Sequence, residues 1–495
     1  MPRKLQTFDV EVVDKEEISQ GILNLAYELW CLSSTAYGPK GQFILVQANE
    51  LCGDAFVLTS SASRILDRIS LDSSVGVLMA HFIDSHLKQY RDGGHLCILL
   101  VSKLLLELFS ERYFGLHLAL EWSVAAMAET EEDIEWQDEE ALVAAVRGIV
   151  APKSVANAPD SLCKLLAQTF VGHIPWLLHH PTDRPLVKVV QAPSQSTAKA
   201  LSHTALVSVS CPRAQLPLAN VIIALFNVTI RPSVIDTPSD LKITLTVDTG
   251  DYHLAMAPSS SFINEAEMLV WRRIADKLHD YGVHLVLSQK KIPAFLATYL
   301  NQLGIAAIER LSIHHIENVQ AVSGARMLSD WIGAGITKDD LGFLSEVSHV
   351  QVGDKKYIGF VGRPTRYSQT SRTRPVSTLI MPCDDTIAFD ELDHVVQAAM
   401  YGLTTLLVDA AVVPGAGVTE TYLVKQLRLK ATALSNHRQL ERIVECVADA
   451  LDSIPAVEAT FSVLDGAAVK RSALTTALTL VMALLRLESA VVTAP

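Results

Sequence analysis

Three glycine-bearing segments hold the residue types that could handle a phosphate group. They are Tyr37-Gly38-Pro39-Lys40-Gly41, Thr59-Ser60-Ser61-Ala62-Ser63-Arg64-Ile65-Leu66 and Arg91-Asp92-Gly93-Gly94-His95. A phosphate cradle needs backbone N–H groups at close range, which glycine permits, preferably at a helix N-terminus. The run from Gly38 to Gly41, with Pro39 and Lys40 between, follows a helical stretch and could still offer such N–H groups. Asp92 could place one carboxylate on Mg²⁺, since magnesium beside phosphates often takes only one or two protein carboxylates. The same carboxylate could instead cap a helix, and Gly38 and Gly41 could serve only a turn. Other chemistry has less support. His179-His180 and His314-His315 lack cysteine or carboxylate neighbours at ligand spacing, and Ser33, Ser34 and Ser61 stand in no GxSxG context.

The elements that would position these segments follow from periodicity. Ile22, Leu25, Ala26 and Leu29 predict a helix over 16–36, and Val75, Leu78, Phe82 and His86 a second. Leu96 to Leu108 is apolar nearly all round, as a helix buried on every side should be. Helices are expected to about Gln168, broken at Pro152, Pro159 and Pro175, so the first 150 residues read as essentially all-helical. Near residue 190 the texture changes. Strands are expected over Ala205–Val209, Val221–Phe226 and the strictly alternating 241–248. A helix over 264–281, a strand over Val283–Leu287, a helix to Leu303 and a strand over Ile305–Ile308 follow. That pattern predicts parallel strands joined by helices, in a domain inserted within a helical one. Strands over Tyr357–Val361 and Ser377–Met381 flank the basic, Ser/Thr-rich stretch Arg363–Pro375, read as a mobile, solvated loop, and helix returns from Phe389.

Composition narrows the function classes. A chain of 495 residues with 49% hydrophobic content can build several cored domains. The net charge of −13 argues against nucleic-acid or anionic-membrane binding, which need a basic face. Eight of the twelve residues from Glu129 to Glu140 are acidic, without calcium-loop spacing, and read as a solvated helix end or loop. The seven cysteines are scattered and never CxxC, which suits reduced thiols in cytoplasm. Met-Pro-Arg-Lys-Leu-Gln lacks the apolar core of a signal peptide, and the apolar run Ser472 to Leu485 is 14 residues, too short to span a bilayer. A soluble protein with no membrane insertion is expected.

In order and spacing the three segments resemble the first equatorial segment of group II chaperonins (the TCP-1/cpn60 superfamily), which read roughly GPKG, TNDGATIL and GDGTT. Leu285 to Lys290, Leu303 to Arg310 and Val322 to Arg326 are similar to the apical "VVLCQKGI", "AGIMAVRR" and "ATGAR". Val413 to Glu420 resembles the "VPGGGAxE" loop, and Val463 to Gly466 with Val469 to Ala473 resembles "GVIDPxxVKxxAL". Cys31 to Pro39, Leu287 to Pro293 and Gly417 to Tyr422 are similar to the divergent chaperonin-like proteins of the Bardet–Biedl/McKusick–Kaufman type.

The resemblance implies a multidomain α plus α/β subunit. Its helical equatorial domain would be split over 1–115 and a shortened 406–495, its small intermediate domain over 116–190 and 346–405, and its α/β apical domain would cover 191–345. It also implies a nucleotide-binding remnant at Gly38, Pro39, Lys40, Gly41, Asp92, Gly93, Gly94, Gly415 and Gly417, with Asp92 the position for Mg²⁺. The chemistry departs from the pattern. Ser61 stands at the aspartate of TNDGATIL, Ala398 at that of DExERSLHDAL, and Gly94 and His95 at the hydroxyls after the third glycine pair. Only a short stretch separates the "ALxxIPR"-like Ala450 to Pro455 from Val463, where active subunits carry a hairpin flanking the nucleotide. Hydrolysis requires carboxylates to position water and metal, so the expectation is no catalytic residue and no turnover, with ATP and Mg²⁺ at most bound. Asp384, Asp385 and Asp393 are the candidate replacement carboxylates. Expected partners are protein clients, other chaperonin-like subunits and the cytosolic ring chaperonin. The expected function is assembly of a ciliary cargo-adaptor complex, at cytoplasm, centrosome or basal body.

Overall fold

The computed structural model describes residues 10–13, 15–38, 40–47, 56–69, 71, 73–109, 115–153, 160–193, 195, 197–209, 216–227, 260–329, 336–363, 367–368, 370–454, 462–487 and 490–493. The chain divides into two compact units, Met1–Val171 with Cys383–Pro495, and Gly172–Pro382.

The first unit opens with β1 (Val10–Val13), α1 (Lys15–Ala36), β2 (Ile44–Gln47), β3 (Phe56–Thr59) and α2 (Ala62–Leu66). It continues through α3 (Ser74–Tyr90), α4 (Gly94–Leu108), α5 (Leu116–Ala128), β4 (Glu132–Asp133), α6 (Glu139–Val150) and α7 (Asp160–Val171). Helix α1 lies where the periodicity of its apolar residues places it. The expectation of an all-helical first 150 residues needs correction, because β2 and β3 pair antiparallel with Ile44 opposite Thr59. Branched and aromatic residues dominate both strands and favour extended backbone. Helix α4 is the hub: Cys97, Leu99, Val101, Leu105 and Leu108 are completely buried on different sides of it. Leu116, Ala119 and Met127 of α5 share the core of α4, so the expected boundary at 115/116 falls inside continuous packing.

The second unit contains α8 (Ile174–Leu177), β5 (Leu186–Gln191), β6 (Lys199–Leu201), β7 (Thr204–Val207), β8 (Leu218–Phe226), α9 (Ser260–Asp280) and β9 (Leu285–Ser288). Then follow α10 (Ala294–Gln302), β10 (Ala306–Ile308), α11 (Ile313–Ser323), β11 (Met327–Leu328), β12 (Gly342–Val352), β13 (Lys355–Val361) and β14 (Val376–Met381). A seven-stranded sheet runs β10-β9-β8-β12-β13-β7, with β11 beside β8. The strands β8, β9 and β10 are parallel and joined by helices, as the sequence predicts. The sheet as a whole is mixed, because β12, β13 and β7 add antiparallel. Gly353, at φ +56°, turns β12 directly into β13, which makes that pair a hairpin. The expected boundary at 345/346 falls within β12. Residues 241–248 lie outside the described residues. The stretch Arg363–Pro375, expected to be mobile, is anchored at two described points: Tyr367 meets Trp176 edge-on at 5.7 Å, and Arg374 pairs with Asp183 at 3.6 Å.

The chain re-enters the first unit with α12 (Thr386–Val408), β15 (Ala411–Pro414), α13 (Val418–Ala433), α14 (Arg438–Asp452), β16 (Leu464–Gly466), α15 (Ala467–Leu484) and β17 (Ala490–Thr493), which pairs with β1. Helix α15 has 18 residues, not the 14 of the apolar run, and its length and composition alone would suffice to cross a membrane. In the fold it packs against α3, α4 and α5, burying Ala473, Leu474, Ala477, Leu478, Val481 and Leu484 in the helical core. Leu105 sits at the centre of that core, so Leu105→Ala is expected to lower unfolding free energy by about 2–5 kcal/mol, read from the urea midpoint at an unchanged slope.

Candidate functional site

The turn between α3 and α4 forms one wall of a cleft in the first unit. Arg91 (φ +54°) ends α3, Asp92 follows, and Gly93 (φ +74°) begins α4. A Cβ on Gly93 would lie 2.8 Å from His86 Nε2 and 2.9 Å from Val469 Cγ1, and one on Gly94 2.9 Å from Ala62 Cβ. Both positions therefore require glycine. The cleft encloses about 680 Å³ including its open mouth, and Ser61, Asp92, Gly93 and Gly94 line it. Tyr37, His95, Lys153, Asp465 and Lys470 are among its other polar lining residues. Lys40, Gly38, Gly41, Gly415, Gly417 and Ala398 are not among the lining residues, and Pro39 lies outside the described residues. Gly38 (φ +90°) and Gly41 shape the turn after α1, where Gly41 N–H donates to the Gly38 carbonyl at 2.8 Å. Gly415 and Gly417 shape the turn from β15 into α13, with Gly417 at φ +88°.

Each carboxylate in the cleft already has a cationic partner. Asp92 does not cap α4, whose N-cap is Gly93; its Oδ1 lies 3.3 Å from Lys153 Nζ. Lys153 follows the C-terminus of α6, and its ammonium also donates to the Ile149 carbonyl. That combination suits a cation at a helix C-terminus. Opposite, Lys470 Nζ contacts Glu420 Oε1 at 2.5 Å and Asp465 Oδ2 at 2.9 Å. Burial works against the Lys470 ammonium, but the Asp465 and Glu420 carboxylates outweigh it and raise its pKa, so it stays charged. Burial likewise raises the Tyr37 phenol above its ordinary range and keeps it protonated.

A third carboxylate lies behind the cleft. Glu391 of α12 is completely buried. It accepts from Thr59 Oγ1 at 2.7 Å, Ser60 N–H at 2.9 Å and Arg64 Nη1 at 2.8 Å, which fastens the β3–α2 corner to α12. Ala398, two turns further along α12, is buried and carries only its methyl group. Ser61 Oγ sits 2.9 Å from His394 Nε2 and 3.0 Å from Ser63 Oγ. His95 donates from Nε2 to the Ser60 carbonyl and accepts at Nδ1 from Ser33 Oγ, both at 2.8 Å. Burial pushes its pKa down to about 4, so it is neutral at pH 7. Of the candidate replacement carboxylates, Asp385 accepts from the Ile387 and Ala388 N–H groups and Asp393 from Gln397. Neither of these, nor Asp384, lines the cleft. As they stand, these donors do not fit a magnesium ion, because both lining carboxylates are held by ammonium groups.

Sequence reasoning missed Lys153, Glu391, Glu420, Asp465 and Lys470 as site residues. Glu420, Asp465 and Lys470 lie inside segments that carry the resemblance, whereas nothing local marks Lys153 or Glu391, whose partners are 61 and more than 300 residues away in sequence.

A split helical unit, an α/β unit inserted into it and a glycine-walled cleft at a helix start together define a chaperonin subunit fold of the α plus α/β type. The sequence pattern of the TCP-1/cpn60 chaperonin family matches residues 31–462, and the chain belongs to that family. It is similar to thermosome subunit alpha of Saccharolobus shibatae, 30% identical over 197 residues, which is 40% of this chain and 33% of that relative. Longer matches are to thermosome subunit beta of Desulfurococcus mucosus (23% identical; 85% of this chain, 81% of the relative) and the thermosome subunit of Methanocaldococcus jannaschii (24%; 87% and 77%). The 30% identical match thus spans 33% of the Saccharolobus relative, and the matches at lower identity span most of the chain.

Two outcomes follow from the buried charges. Lys470→Met leaves Glu420 and Asp465 buried without their cation and is expected to cost about 3–5 kcal/mol of stability, measured by chemical denaturation at pH 7. His95 has a folded pKa of about 4, below the unfolded value, so the unfolded chain takes up its proton first. Its contribution is therefore complete above about pH 6.5 and declines as pH falls towards 4, by up to about 1.4 kcal/mol per pH unit. In His95→Gln the stability profile should be flatter across pH 6.5–5 by one proton's worth.

Proposed function

We propose that this chaperonin-family chain is an assembly factor that binds protein clients without turning over ATP. The observation that carries the reading is that Asp92 is paired with Lys153 while positions 61 and 398 hold no carboxylate. Hydrolysis of a phosphoanhydride needs a carboxylate free to orient water and a metal to neutralise charge. Ser61 and Ala398 stand where the family resemblance has aspartates, and Ser61 is engaged with His394. Client binding belongs to the inserted α/β unit and the helical surfaces, as the resemblance implies. Likeness of Cys31 to Pro39, Leu287 to Pro293 and Gly417 to Tyr422 to the Bardet–Biedl/McKusick–Kaufman type supports a ciliary cargo-adaptor complex as client. It also supports chaperonin-like proteins and the cytosolic ring chaperonin as partners, and cytoplasm, centrosome or basal body as the place of action.

The second reading, an ATP-driven folding subunit, is favoured by the similarity to thermosome subunits over most of the chain and by the Asp92-Gly93-Gly94 turn at the start of α4. Phosphate release from Mg²⁺-ATP by the purified full chain separates the two. The expected result is no release above that of an Asp92→Ala control. Release that Asp92→Ala abolishes would overturn the non-hydrolysing reading. A third role, a centrosomal scaffold keeping only the fold, predicts client mislocalisation on removal of the protein, whereas an assembly factor predicts unassembled client subunits.

A further inference from the structure

The cleft holds a nearly buried ammonium beside one of its carboxylates. Lys153 is 8% exposed, and its ammonium is fixed from two sides, by the Asp92 carboxylate at 3.3 Å and by the Ile149 carbonyl near the end of α6. Asp92 occupies a short turn whose neighbours Arg91 and Gly93 both have positive φ, which fixes the backbone that presents its carboxylate. The other lining carboxylate, Asp465, is committed to Lys470, which also serves Glu420. A divalent cation entering here would have to expel a buried ammonium, stripping it of its partner in a low-dielectric site. It would also meet Lys153 and Lys470 as unscreened like charges.

We propose that Lys153 is the resident cation of this cleft: its ammonium takes the position on Asp92 that a divalent metal would need, and makes the cleft indifferent to Mg²⁺. The inference deepens the non-hydrolysing reading, since it assigns the block to one side chain and concerns metal binding, which is measurable without turnover. Removing that ammonium exposes an uncompensated carboxylate to solvent cations and converts a metal-indifferent cleft into a metal-dependent one.

The experiment uses Mn²⁺ as the probe on the full-length chain. Electron paramagnetic resonance follows loss of the free Mn²⁺ signal, and thermal unfolding is recorded with and without Mn²⁺. The wild type is expected to show no site that depends on Asp92 and no thermal shift attributable to one. Lys153→Met is expected to melt lower than wild type, to gain a Mn²⁺ site at least about tenfold tighter than any in wild type, and to recover stability on Mn²⁺ addition by mass action. The gain should vanish in Lys153→Met/Asp92→Asn, and Lys153→Arg, which keeps the charge, should behave as wild type. A wild-type Mn²⁺ site that Asp92→Asn removes would overturn the inference, as would a folded Lys153→Met that gains none. If Lys153→Met does not fold, ¹⁵N-lysine NMR of the wild type decides instead. The Lys153 ammonium resonance should be unmoved by millimolar Mg²⁺, and a saturable shift lost in Asp92→Asn would refute the proposal. A wild type with an Asp92-dependent Mn²⁺ site that nevertheless releases no phosphate would sink this inference and leave the non-hydrolysing reading standing.

Discussion

Within the C-terminal part of the first unit, the buried ammonium of Lys470 is the constraint on which the packing of three elements depends. Lys470 lies in the first turn of α15, Glu420 in the first turn of α13 and Asp465 in the middle of β16, which pairs with β15, so one cation joins three elements at a single point. Taking such a group out of water costs several kcal/mol, which only close carboxylates can offset. Any other packing of α13 against α15 would leave one of these charges buried and alone. The apolar contacts of α4 with α1, α14 and α15 contribute the bulk of the burial, but they are less particular about which residue meets which.

Glu391 plays the matching role between the early hairpin and α12. A carboxylate with no exposure to water has to be satisfied by protein donors, and Thr59, Ser60 and Arg64 provide them. The same local geometry sets Ser61 against His394, so the polar groups near the cleft are engaged with one another. Lys153 and Asp92 extend the pattern into the cleft itself. The family architecture is retained here, and the lining carboxylates Asp92 and Asp465 each face a lysine.

Much of this was legible in the sequence, for identifiable reasons. The helices α1 and α4 follow from apolar spacing, and β8, β9 and β10 from short branched runs, because both signals are local. The Gly93-Gly94 turn was legible because positive φ and close approach leave few alternatives to glycine. The β2–β3 hairpin was not, since its strands are four residues each, too short to show a clear alternation beside the helices around them. The mixed character of the large sheet was also hidden, because strand direction is decided by pairing partners rather than by composition. Tyr367 and Arg374 looked like members of a solvated loop, yet Trp176 and Asp183 hold them, and nothing near them in sequence announces those partners.

By itself the sequence determined the superfamily outline, the order of the glycine segments and the presence of a serine and an alanine at positions 61 and 398, where the resemblance has aspartates. These are properties of residue type and spacing, which the chain carries whether folded or not. Only the tertiary structure decided that Asp92 faces a lysine, that Glu391 fastens α12 to the β3–α2 corner, and that Lys470 unites three elements. Charge pairing in a low-dielectric interior acts over a few ångströms of space, and sequence separations of 50 to 333 residues carry no trace of it.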